Sequence, residues 1–140
     1  MSTSPRMQAF VGLLCARQGF DLALAVPGDY LRVENPVGNA NLLVTVLEDG
    51  QIAVDYLLWQ AESTVVQLQM KFLVTPEGWE PVTVQDSFSR AWDEYGIEAG
   101  REGIAVFDET GLLILSNMTE YWADRLTTWG WLRKLDFVRF

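Results

Sequence analysis

Between residues 41 and 74 apolar and polar positions alternate with a period near two, and this stretch predicts three successive β-strands. The clearest is 64–74. There Val66, Leu68, Met70, Phe72 and Val74 point one way and Gln67, Gln69 and Lys71 the other, the pattern of a strand buried on one face. The run 41–48 carries Leu42, Leu43, Val44, Val46 and Leu47, and the run 51–59 carries Ile52, Val54, Tyr56, Leu57, Leu58 and Trp59. Such β-branched and aromatic residues suit a pleated surface. Asp49-Gly50 between the two runs predicts a type I′ turn, which needs positive φ at both central positions. If Val44, Val46, Val54 and Tyr56 face the core, then Leu43, Leu47, Leu57 and Trp59 fall on the opposite face. A sheet apolar on both sides needs cover on both, from the chain itself or from a partner.

Helical spacing marks three further segments. Ser4-Pro5 offers an N-cap and a first helical residue, Met7, Phe10, Val11 and Leu14 follow as a stripe, and Gly19 stands where a helix ends, so a first helix is expected over 5–18. After the turn Pro76-Glu77-Gly78, Thr83 is a candidate N-cap for a second helix over 84–95, with Val84, Phe88, Ala91, Trp92 and Tyr95 on one face and Gly96 at its end. Ser116 or Asn117, with Glu120 near the capping-box position, opens a last helix whose apolar face is Met118, Tyr121, Trp122, Leu126, Trp129 and Leu132. Gly130 marks a break in it. Residues 20–40 read as a long connection punctuated by Pro27-Gly28, Asn35-Pro36 and Gly38-Asn39. Within it Leu22, Leu24 and Val26 suggest a short strand, and Tyr30, Leu31 and Val33 are its expected packing contacts. The apolar runs 103–107 and 112–115, around Asp108-Glu109-Thr110-Gly111, predict a second hairpin buried on both faces. One face is expected to meet the helices and the other a second subunit.

A chain of 140 residues with 49% hydrophobic and 21% charged residues predicts one globular α+β domain over 1–140. No apolar run reaches the length of a membrane span, and no secretory signal is expected. The single cysteine, Cys15, excludes an internal disulfide and fits a cytoplasmic, reducing compartment, with the thiol as a small core residue. The net charge of −9 and the scarcity of clustered Lys and Arg argue against nucleic acid as a partner.

There is no histidine, which removes the commonest general base and metal ligand and rules out triads that depend on it. No phosphate-binding glycine motif is present, and no cofactor is expected. The carboxylates Asp86, Asp93, Glu94, Glu98, Glu102, Asp108 and Glu109 fall on expected helix surfaces and turn tips, where charge is ordinarily solvated. A Mg²⁺-assisted carboxylate hydrolase remains the catalytic alternative, and a small-ligand regulatory domain with a cavity beneath residues 20–40 is a third reading. Of six tryptophans, Trp92, Trp122 and Trp129 lie at core spacing, whereas Trp59, Trp79 and Trp131 are candidate exposed anchors.

The element order α-β-β-β-α-β-β-α resembles the type III secretion chaperone-like fold, which includes the small acidic class I secretion chaperones and YbjN-type proteins. The block Gly-Ile-Ala-Val-Phe-Asp-Glu-Thr-Gly-Leu-Leu-Ile-Leu-Ser at 103–116 is similar to the strand, acidic-Gly turn and apolar strand of those families. The resemblance implies a homodimer with the second helix and second hairpin near its interface, and a non-catalytic role in holding a segment of another protein. The expectation is a twisted antiparallel sheet with helices packed on one face. Leu43, Leu47, Leu57, Trp59 and Trp79 are the expected contacts for a partner protein, and Trp92, Ile104, Val106, Leu113 and Leu115 the expected dimer contacts.

Overall fold

A computed structural model describes residues 3–35, 40–60, 63–86, 99–100, 103–104, 109–132 and 138–139. Helix α1, Pro5–Arg17, buries Met7, Phe10, Val11, Leu14 and Cys15 at the expected 3.6-residue spacing. It ends at Gly19, whose φ of 72° is left-handed. The Gly19 amide donates to the Ala16 carbonyl and the Phe20 amide to that of Cys15, the paired bonds of a Schellman cap.

Strands β1 (Tyr30–Asn35), β2 (Ala40–Val46), β3 (Gln51–Gln60), β4 (Ser63–Thr75) and β5 (Gly78–Asp86) form an antiparallel meander. A two-residue pair, β6 (Ala99–Gly100) with β7 (Gly103–Ile104), forms a separate small sheet, with β7 close to β5. Helix α2, Glu109–Thr128, follows, and β8 (Val138–Arg139) adds to the free side of β1. The architecture is α+β, and its three central strands are the ones the alternation predicts. Asp49 and Gly50 both have positive φ, 59° and 72°, as the type I′ turn requires.

Cross-strand register sorts the sheet into two faces. The rows Val44–Val54–Met70–Val84 and Leu42–Tyr56–Leu68, with Leu31 and Val33 of β1, form the buried side. Both helices pack there. The α2 side chains Leu115, Met118, Trp122, Ala123 and Leu126 join those of α1 in one core. The helices run parallel: Ser4 Oγ meets Thr119 Oγ1, Arg6 pairs with Asp124 at 2.7 Å, and Arg17 donates to the Leu132 carbonyl.

Several local expectations are corrected. Residues 83–86 lie in β5, so Thr83 caps no helix and Val84 is a strand residue; 87–96 lie outside the described residues. Pro81 fits β5 because that strand is at the edge of the sheet, and its register with β4 shifts at Lys71/Phe72, where a missing N–H costs least. Residues 112–115 are helical, not the second strand of a hairpin, and Ser116 and Asn117 lie inside α2 rather than at its start. β7 pairs with β6 instead. Residues 30–35 are a strand, with Leu31 and Val33 buried but Tyr30 exposed. Leu22 and Leu24 lie in a turn closed by the Asp21 side chain, which accepts the Ala23 and Leu24 amides, and Leu24 is 78% exposed. The break at Gly130 is real: φ is 88°, and Trp131 donates to the Leu126 carbonyl in a second Schellman cap. No described helix is long and apolar enough to cross a membrane.

Candidate protein-binding surface

The sheet face turned away from the helices is a mixture. One row runs Arg32–Leu43–Asp55–Gln69–Gln85, and the next holds Asn41, Leu57 and Val66. Leu43 and Leu47 are half-buried, and Leu57 is buried. Arg32, Asn41, Asp55, Gln69 and Lys71 interrupt them, so the face is not the continuous apolar surface that the leucines alone suggest. Asp55 sits near its centre and is only 7% exposed. Burial raises its carboxyl above the usual range, and a Gln69 hydrogen bond and the Lys71 charge pull it partly back. Its Oδ1 has no hydrogen-bond partner among the described residues.

A second surface lies on α2. Beside its core stripe stand Tyr121 and Arg125, four residues apart, and Trp129 follows four further on, just past the end of the helix. Tyr121 is 51% and Trp129 37% exposed. The Arg125 guanidinium lies 5.5 Å from the Tyr121 ring centroid and 5.1 Å from that of Trp129, within cation–π range of both. A chain of rings fixes this group to the sheet. Trp129 touches Tyr56 at 5.6 Å and Trp122 at 5.9 Å, and Trp122 meets Tyr121 edge to face. Because Gly130 stops the helix, Trp131 turns inward and packs its ring edge-on against Tyr56. Two neighbouring tryptophans thus go opposite ways.

The expected sites fare unevenly. Trp79 is buried on the helix side, against Phe72 at 5.5 Å, so it shares no surface with Leu43 and Leu57 and is no exposed anchor. Trp131 is likewise core. Trp129, expected in the core, reaches the surface. Trp59 lies in β3 and Ile104 in β7, but their side chains, like Trp92 and Val106 as a whole, fall outside the described residues. Leu115 is fully buried in the core and is not a surface contact, whereas Leu113 is 53% exposed. The doubly buried hairpin that joined these residues into an interface is absent, since its second strand is helix.

Of the carboxylates, Asp86 ends β5 and Glu109 begins α2, while Asp93, Glu94, Glu98, Glu102 and Asp108 lie outside the described residues. No three Asp, Glu or Cys side chains among the described residues group as metal ligands. Beneath residues 19–22 there is an open hollow bordered by Gly12, Cys15, Ala16 and Phe20, not an enclosed cavity. Burial pushes the Cys15 thiol up to about 11, which leaves it protonated.

Tyr121, expected on the apolar face of the last helix, is half exposed; Arg125, four residues on, drew no sequence expectation, and the signal for it is the spacing of four between Tyr121, Arg125 and Trp129. Comparison with protein-family models, with curated proteins and with solved structures gives no match for this chain.

Proposed function

We propose that this chain is a non-catalytic, cytoplasmic protein-binding domain that holds a segment of a partner protein, as a chaperone-like adaptor or assembly factor does. The observation that carries the reading is the exposed row Tyr121–Arg125–Trp129. Trp, Tyr and Arg dominate the residues that supply most of the energy at protein interfaces. Their rings are already held by Trp122 and Tyr56, so little side-chain freedom is lost on binding. The second sheet face takes the lesser part, because polar side chains separate Leu43, Leu47 and Leu57.

The test is site-specific photo-crosslinking in the native cells, with the reactive residue in place of Tyr121 and, as a control, of Gln8 on α1. A defined adduct from position 121 alone is expected, and Trp129→Ala should weaken it by about tenfold or more. An adduct of twice the chain mass would identify a second copy as the partner. Identical adduct patterns from both positions would overturn the reading.

A further inference from the structure

Arg125 stands in no ion pair among the described residues. The ion pair beside it, Arg6 with Asp124, leaves it out, and no carboxylate lies within salt-bridge reach of Arg125 among the described residues. The two α2 acids nearest to it both face α1: Asp124 pairs with the Arg6 side chain, and Glu120 accepts the Arg6 amide. Two flanking rings steady the guanidinium, and its N–H fork has no hydrogen-bond partner among the described residues. A guanidinium so held is suited to a carboxylate in bidentate geometry.

Charge along the chain points the same way. Residues 121–140 contain four of the ten cations (Arg125, Arg133, Lys134 and Arg139) and two of the nineteen acids (Asp124 and Asp136). The other 120 residues carry more than the whole negative excess. A long polyanion would be repelled by that bulk, whereas a short acidic segment needs to satisfy only one fork.

We propose that the Tyr121–Arg125–Trp129 row binds an acidic peptide segment of a partner protein, with an Asp or Glu carboxylate on Arg125 and an adjacent apolar side chain against Trp129. This rests on the protein-binding reading above and assigns the chemistry of the partner. Random short peptides displayed on phage, selected on the immobilised full chain, should enrich Asp or Glu at a fixed spacing from an apolar residue. The best peptide, resynthesised, should bind Arg125→Lys about tenfold more weakly, the change expected for one lost charge-assisted hydrogen bond, and Arg125→Gln more weakly still. Replacing its acid by the amide should make wild type and Arg125→Gln equal. Selection of peptides without a fixed acid, or equal binding of the acidic peptide to wild type and Arg125→Gln, overturns the proposal. If such peptides still lose binding with Trp129→Ala, the protein-binding reading stands without it. If no selected peptide responds to Tyr121→Ala, Trp129→Ala or Arg125→Gln, both fall. Tighter binding of single-stranded DNA than of any selected peptide also overturns it. Thermal melts establish that each variant is folded, and Tyr121→Ala replaces Trp129→Ala if the latter is not.

Discussion

Ser4 occupies the N-cap position of α1, yet its hydroxyl makes no cap. It contacts Thr119 in the core between the helices, and the carboxylate of Glu120 takes the Arg6 amide at 3.0 and 3.1 Å. The cap is thus supplied by another helix. Glu120→Ala should lower stability by about 1 kcal/mol, the usual worth of a cap, as read by urea unfolding. Asp55 acts in the opposite sense. Burial favours its neutral form in the fold, so its raised pKa gives stability that is complete below the ordinary carboxylate range and lost as pH rises through the raised value. Asp55→Asn should therefore stabilise the protein at neutral pH by about 1 kcal/mol. Unfolding near pH 7 and near pH 4 checks the sign, since the gain should shrink at the lower pH.

At the level of elements, what was legible in the sequence was whatever local rules decide. Strands β2 to β4 follow from alternation, except that a bulge opposite Tyr56/Leu57 turns Val66 to the face opposite Leu68; the turn between β2 and β3 follows from Asp49-Gly50, and both ends of α1 from Pro5 and Gly19. The misreadings fall where two rules compete. Val84 extends a helical spacing as readily as a strand, and only pairing with Met70 makes it strand. Leu112 to Leu115 are apolar at every position, a run that fits either structure. The arbiter is the continuation of Leu115 through Met118, Trp122 and Leu126, which places Leu115 on the buried stripe and Leu113 off it. The row Tyr121–Arg125–Trp129 is missed for a different reason: Tyr121 and Trp129 fall within the expected apolar face, and their spacing alone does not show that both reach the surface. Leu115→Ala should cost about 3 kcal/mol and Leu113→Ala less than about 0.5 kcal/mol in chemical denaturation. Equal costs would contradict the helical register.

For the whole molecule, one sheet face and two parallel helices enclose a core that includes the single cysteine. Cys15 therefore reports opening of the entire fold. Its thiol is buried and pushed up to about 11, so a disulfide reagent near pH 8 should label it far more slowly than a free thiol. Low urea should accelerate labelling in step with the loss of global stability, and labelling at the free-thiol rate would show that the hollow beside α1 admits the reagent. The borrowed cap has a consequence for biosynthesis. The acceptor for the Arg6 amide lies 114 residues downstream. A nascent chain thus displays α1 long before Glu120 has left the ribosome, with an open amide at its start and an apolar stripe awaiting the sheet. Helix α1 is thus completed by a residue made 114 positions later, and until then its first turn lacks that acceptor.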